Sequence, residues 1–230
     1  SVLFETFGPQ HWWPMDNSHH QQNNTDPRFE VMIGAILTQN TAWINVEKAI
    51  KQLKRHNLLS IQTLIEADIS LVKQSIRSSG YFNQKAKRLQ NVAQYIQHEY
   101  QGDLNQFFAQ STQLLRKELL NLHGIGPETA DSILLYAANK PVFVVDAYTK
   151  RLCNRLPLAV NAASYDEIQQ FFQDNLTDEF STNELSQIYN ELHALIVNLG
   201  KNFCKSKPTC ANCPLLNHCQ FGKIQVKKQV

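Results

Sequence analysis

Apolar residues recur along this chain mostly at three- and four-residue steps. Phe29, Met32, Ile33, Ile36 and Leu37 form one stripe, and Val46, Ile50 and Leu53 form the next, which predicts two consecutive amphipathic helices. The same period returns over about 60–66, 68–77, 84–98, 103–109 and 112–122. After a glycine-rich turn, Ala130, Ile133, Leu134 and Ala137 carry it on, and further helical segments are expected near 147–154, 164–174 and 181–200. Residues 15–27, MDNSHHQQNNTDP, have no apolar face and read as a loop. VFVV at 142–145 is too isolated to found a sheet. The last eight residues, KIQVKKQV at 223–230, read as a frayed basic tail. The pattern predicts an all-α protein, without internal repeats or low-complexity tracts.

A length of 230 residues suffices for one large domain or two small ones. A hydrophobic fraction of 43%, with 22 basic against 20 acidic residues, describes an ordinary globular chain. A net charge of +2 permits a nucleic-acid partner without arguing for one. The most apolar stretch, SILLYAANKPVFVV, is broken by Lys140 and Pro141, so no membrane span is expected. The opening SVLFETFGPQHWWP lacks the basic and long apolar regions of a signal peptide, so the cytoplasm is the expected compartment. Four of the five cysteines crowd into 204–219. In a reducing compartment that favours metal ligation over two disulfides.

The turn LHGIGPETA, residues 122–130, follows a helix whose buried face is Leu115, Leu119 and Leu122. Gly124 and Gly126 allow backbone conformations or approaches that a Cβ would hinder. Pro127 suits the first position of a new helix, and Glu128 falls in its first turn, where negative charge is favoured. Backbone amides at such a helix start can receive a phosphate, and the contact is independent of base sequence. A tight αα-hairpin within a bundle would look the same, and this stretch alone leaves both readings open.

The cysteines read Cys204-x5-Cys210-x2-Cys213-x5-Cys219, with Pro208 and Pro214 shaping the loop. By spacing, a [4Fe–4S] cluster and a structural zinc are near even. Cys153 reads as a core thiol.

Several motifs together carry a resemblance. LHGIGPETA followed by VVDAYTKR resembles the helix-hairpin-helix and catalytic aspartate of the endonuclease III superfamily of DNA glycosylases. LTQNT at 37–41 resembles the family's segment with a gap-filling glutamine, and SGYFNQKAKRL at 79–89 its wedge segment. The cysteine cluster resembles its iron–sulfur loop. These run in the family's order over most of 29–221, and HWWP, LTQNT and GYFNQKAKRL look most like the 3-methyladenine DNA glycosylase III group.

The resemblance implies a base-excision enzyme, acting as a monomer on double-stranded DNA containing a damaged base, which it flips out of the stack. Gln39 would fill the gap and Tyr81 would wedge at it. Asn83, Lys85, Lys87, Arg88, Lys150 and Arg151, with Gly124, Gly126 and Thr129 of the hairpin, would hold the DNA, although the charged residues also suit a solvated face. Asp146 would be the catalytic carboxylate, facing the developing oxocarbenium ion or positioning water. Glu128 stands where bifunctional members have a nucleophilic lysine. A carboxylate cannot form a Schiff base, so a monofunctional enzyme is implied.

Trp12, Trp13, Pro14 and Trp43 would line the base pocket, where indole faces suit cationic alkylated purines; core packing is the rival reading. Cys204, Cys210, Cys213 and Cys219 would hold a [4Fe–4S] cluster in preference to zinc, with the first gap one residue shorter than the family pattern.

The implied fold is the two-domain helical endonuclease III-like one. A helical barrel at 29–138 would contain the hairpin at about 112–138. Residues 1–28 plus 139–222 would form a second helical domain, with the lesion in the cleft between the two and Asp146 at its mouth. Two alternatives remain: a bifunctional endonuclease III-type glycosylase and lyase for oxidised pyrimidines, and a non-catalytic DNA-binding module.

Overall fold

The computed structural model describes residues 2–158, 160, 163–177 and 180–228, with the backbone alone at 182 and 183. Every regular element among them is helical. In chain order these are α1 (Val2–Phe7), α2 (Asn17–Asn23), α3 (Pro27–Leu37), α4 (Trp43–Arg55), α5 (Ile61–Glu66), α6 (Ile69–Ser75), α7 (Phe82–Tyr100), α8 (Leu104–Ala109), α9 (Thr112–Asn121), α10 (Pro127–Ser132), α11 (Ala147–Arg155), α12 (Tyr165–Thr177), α13 (Thr182–Asn202) and α14 (Gln220–Lys227). A 3-10 turn, Arg77–Ser79, precedes α7, and a π-turn, Ile133–Ala137, extends α10. No described helix is long and apolar enough to cross a membrane.

Short polar residues mark the helix starts. Asp26, Ser60, Asp68, Asp103, Ser111 and Asp146 each stand at an N-cap and accept a hydrogen bond from a first-turn amide that the helix itself leaves unpaired. Ser181 and Glu184 form a capping box at the start of α13.

The chain divides into two compact units, Trp13–Lys140 and Ser1–Trp12 with Pro141–Val230. In the first, α3 is buried at every position from Phe29 to Leu37. A helix enclosed all round is largely apolar all round, and its one buried charge, Glu30, is paired within the interior. α4, α7, α10 and the π-turn pack about it. Gly34 sits in α3 because the Trp13 ring lies directly on that turn: a Cβ there would come within 2.4 Å of Cζ2. Residues 13–28, which the family resemblance grouped with the C-terminal part, fall within this unit.

The expected loop at 15–27 also contains α2. Asp16 caps it, and His20 turns inward, with Nε2 2.9 Å from Glu30 Oε2 and Nδ1 2.8 Å from Thr25 Oγ1. Lys54 Nζ stands 3.1 Å from the same Glu30 oxygen. A segment docked by a buried polar network has no hydrophobic period to announce it.

α9 and α10 form the hairpin expected at 112–138, and Arg116 clamps them together. Its guanidinium donates to both oxygens of the fully buried Asp131, at 2.6 and 3.0 Å. Tyr95, Tyr100 and Gln110 all donate to Glu118 Oε2, at 3.0, 2.6 and 3.1 Å, tying α9 back to α7 and the end of α8.

The core of the other unit is built on Phe143, which stacks on Phe172 at 4.3 Å and meets the Tyr189 edge at 5.7 Å. Residues 142–145 are buried and irregular, as the absence of a sheet pattern implied. Side chains take the place of a sheet ladder: Gln169 donates to the Phe143 carbonyl at 2.6 Å, and Gln173 accepts from its amide at 3.1 Å. Of the expected frayed tail, residues 223–227 belong to a helix that runs from Gln220 to Lys227, and residues 229 and 230 lie outside the described residues. Cys219 Sγ accepts from the Gly222 amide, and Phe221 lies 4.7 Å beneath the Arg155 guanidinium.

Candidate functional site

The hairpin bend depends on Gly124, whose φ is +85°. A Cβ there would also lie 2.1 Å from Arg88 Nε, so glycine is needed for both conformation and space. Gly126 caps α10 in an extended conformation, with open space where its Cβ would point. Pro127 opens α10, and Glu128 is exposed in its first turn.

Gln39 follows α3 and faces this hairpin. Its Nε2 donates to the Gly124 carbonyl and to Thr129 Oγ1, both at 2.9 Å, while its Oε1 accepts from Arg88 at 2.6 Å. Thus the residue expected to fill a gap in DNA is here fully engaged with the protein. Arg88, expected among the phosphate-holding residues, is half-buried between Gln39 and Gly124. Asn40, beside it, is exposed with φ +52°.

Tyr81 stands at the start of α7, 67% exposed and with φ +46°, an unusual conformation for an aromatic residue. Asn83 and Lys87 are exposed on the following turns.

Lys85 does not hold phosphate; this corrects the sequence expectation. Its side chain is 1% exposed, and Nζ donates to the Leu37 carbonyl, Thr41 Oγ1 and the Ser79 carbonyl, at 2.8, 2.8 and 2.7 Å. Burial, with help from the charge of Arg88, pushes this ammonium down to about 8. Its position in α7 gave no warning, because the inward face of a helix can carry a lysine when carbonyls wait at its tip.

Trp13 and Trp43 are brought together edge to face at 5.0 Å, and Tyr136 joins them at 5.5 Å from Trp13. All three are half-buried. Tyr136 was missed because the stripe through Ile133, Leu134 and Ala137 was read as a regular helix. The residues 133–137 instead form a π-turn, a feature common at functional sites. Pro14 is exposed, and Trp12 belongs to the unit of residues 1–12 and 141–230.

Asp146 caps α11. Its Oδ1 accepts from the Thr149 amide and hydroxyl, at 2.7 and 3.0 Å, and Oδ2 stands 3.7 Å from His193 Nε2. Burial pushes this carboxyl up, but His193 and Thr149 outweigh it and hold Asp146 below the ordinary carboxylate range. His193 comes from α13, 47 residues away, and no local motif links it to Asp146. Lys150 is exposed, 5.8 Å from the centre of the Tyr165 ring.

The four clustered cysteines line one small hollow of about 20 Å³, with Arg155, Phe203, Pro208, Leu216, Phe221 and Gly222. Arg155 donates to Cys204 Sγ at 3.3 Å, and its other hydrogen bonds reach the Lys205 and Ser206 carbonyls. Arg151 donates to the Cys204 carbonyl at 2.6 Å. Among the described residues, no three His, Cys, Asp or Glu side chains converge as the ligands of one ion would. Cys153 is buried, and burial pushes its thiol up to about 11.

Residues 33–177, from α3 through α12, match the HhH-GPD superfamily of base excision DNA repair proteins. The chain belongs to that superfamily. It is 44% identical to a proposed DNA repair glycosylase of Methanocaldococcus jannaschii, over 95% of this chain and 92% of that protein. It is 30% identical to endonuclease III of Thermotoga maritima, over 90% of this chain and 88% of that one. It is also similar to the crystal structure of Helicobacter pylori 3-methyladenine DNA glycosylase bound to 1,N6-ethenoadenine, with 31% identity and a TM-score of 0.69 over 86% and 91% of the two chains. The matched stretch contains the hairpin, the Gln39 and Tyr81 loops and Asp146. The protein is therefore a helix-hairpin-helix DNA glycosylase of base excision repair.

Proposed function

We propose that this glycosylase is monofunctional and hydrolyses the N-glycosidic bond of alkylated purines, with Asp146 as its catalytic carboxylate. The observation that carries the base class is the trio Trp13, Trp43 and Tyr136. Aromatic faces attract a flat cation. A purine alkylated at N3 carries positive charge, so it leaves without first being protonated. The C1′–N9 bond breaks with its electron pair going to the base, which departs neutral. Water adds to C1′, and its proton passes to the Asp146 carboxylate and on to solvent. An ionised Asp146, held so by His193 and Thr149, stabilises the cationic sugar in between. The similarity to the Helicobacter pylori 3-methyladenine enzyme supports this reading.

Glu128 supports the use of water. An amine is required for the covalent lyase route, and this turn of α10 presents a carboxylate. Gly124 and Gly126 would seat the hairpin on phosphate; Thr129, expected to join them, is buried with its hydroxyl on Gln39 and supports the bend from within. Gln39, on exchanging its bonds to Gly124, Thr129 and Arg88, and Tyr81 would enter the opened stack, and Asn83 and Lys150 would hold the strand nearby. Cys204, Cys210, Cys213 and Cys219 would hold a [4Fe–4S] cluster. Four sulfurs with an apolar lining are a donor set that fits such a centre and would also fit zinc; the likeness of the cysteine order to the family's iron–sulfur loop favours the cluster. Such a group would serve a structural role, fixing the loop that Arg151 and Arg155 tie to α11.

The test is excision from duplexes carrying one 3-methyladenine, hypoxanthine, uracil or thymine glycol, each reaction split and half treated with hot alkali. Methylpurine release with strand breaks only after alkali is expected. Breaks without alkali, chiefly at thymine glycol, would instead establish a bifunctional endonuclease III-type enzyme.

A further inference from the structure

Two loops of the Trp13–Lys140 unit are candidates for entering DNA: residues 38–42, which carry Gln39 and Asn40, and residues 79–81, which carry Tyr81. Loops that must pry open a stacked helix need a fixed separation, because a displacement of 1 Å at a working side chain is costly. Each loop is a short link between helical elements, α3 to α4 and the 3-10 turn to α7, and Tyr81 and Asn40 at their tips both have positive φ.

Their fixed points converge on one atom. Lys85 Nζ takes the Leu37 carbonyl at the end of α3, where the first loop begins, and Thr41 Oγ1 near that loop's other end. Its third acceptor is the Ser79 carbonyl, two residues before Tyr81. The Thr41 hydroxyl is shared between the loops, within reach of both the Gln39 and Ser79 carbonyls. An ammonium has three donors, and all three are used. The site is 1% exposed, so burial of this charge is offset by acceptors from the two loops rather than by water. A neutral apolar residue of similar length would fill the volume and leave the loops joined through Thr41 and, more remotely, through the Ser78 hydroxyl on the Asn45 carbonyl of α4.

We propose that Lys85 is a positioning residue for damage recognition: it fixes the Gln39 loop and the Tyr81 loop to one another so that gap filling and wedging act together. This rests on the reading that both loops enter DNA. Lys85 touches no DNA itself. Its loss is felt when a nucleotide is extruded, and the hairpin's grip on undamaged duplex is unaffected.

The experiment compares wild type, Lys85→Met and Thr41→Val as full-length proteins, checked for fold by circular dichroism. Three quantities are read: the Kd for an undamaged duplex, the fluorescence of 2-aminopurine placed beside a tetrahydrofuran abasic site, and single-turnover release of hypoxanthine or 3-methyladenine. Lys85→Met is expected to keep the undamaged-duplex Kd within about twofold while losing the 2-aminopurine rise and on the order of 100-fold in excision. Thr41→Val, which keeps the buried ammonium, is expected to show the same pattern more weakly, and it carries the test if Lys85→Met does not fold.

Equal losses in undamaged binding and excision would reduce Lys85 to a packing residue. So would variants that open and excise like wild type. If wild type itself neither opens the abasic duplex nor releases any base, it is the reading of the loops that falls. Amide exchange at 38–42 and 79–81 without DNA then still decides whether Lys85 joins them: faster exchange in Lys85→Met supports the link, and unchanged exchange overturns it.

Discussion

At the scale of single residues, the proposed mechanism rests most on the Asp146 carboxylate, whose charge state is set by opposing effects. Burial favours the neutral acid; His193 and Thr149 favour the anion and prevail. A carboxyl held low in the folded protein contributes stability above its ordinary range, and that contribution is lost as pH falls through the folded value. The same sign governs activity if the anion is the working form. Removing His193 leaves burial opposed by Thr149 alone, so the acidic limb of kcat/KM is expected to move to higher pH in His193→Gln. A pH–rate profile whose acidic limb does not move would mean that the 3.7 Å approach of His193 is incidental. Asp146→Asn is expected to cost at least about 10³-fold in excision while retaining DNA binding, read by filter binding and single-turnover kinetics. Glu128 offers the converse test. Glu128→Lys introduces an amine on the first turn of α10, and borohydride should then trap some enzyme–DNA adduct; complete absence of trapping would place this side chain away from C1′.

At the scale of elements, the hairpin is held by two clamps, Arg116–Asp131 between its helices and Gln39–Arg88 against its bend. Gly124→Ala strains both the φ of +85° and the Arg88 packing, so a loss of about 1–3 kcal/mol is expected, measured by urea unfolding. Affinity for undamaged duplex should weaken with it, since the bend presents the hairpin amides. Most helices were legible because their stripes and caps are local: the stripe from Phe29 to Leu37, the hairpin with Pro127 at the start of its second helix, and Asp146 before α11 could all be read directly. What was hidden lacks a period. α2 is docked by His20 and Glu30, α14 is held through Cys219 and Arg155, and the π-turn shifts Tyr136 out of the expected register. The site residues divide in the same way. Asp146 and the four cysteines were visible as motifs, whereas His193 and the inward turn of Lys85 follow from packing between elements distant in sequence.

At the scale of the whole molecule, the residues on which the proposed chemistry depends divide between two units with separate cores. Gln39, Lys85 and the hairpin lie in one; Asp146, His193 and the cysteine hollow lie in the other. Within the second, α11 has two anchors. Asp146 caps its first turn, and Arg151 and Arg155 tie its later turns to Cys204, Lys205 and Ser206. A ligand set that holds a cluster makes its binding energy part of the folding energy of that loop. On the proposal that these cysteines hold a cluster, the purified protein should absorb in the visible, and Cys213→Ser is expected to remove that absorbance and to speed amide exchange across 203–227. The loss should extend into α11, because the carbonyls that receive both arginines belong to the loop, and it should bypass α3 and α9, whose cores contain none of these residues. Excision should fall in proportion to the disorder of α11, with the hairpin's affinity for undamaged duplex retained. Unchanged exchange in α11 would show instead that the helix stands on its own packing against α12 and α13, and that the arginine contacts are a consequence of the fold rather than one of its supports.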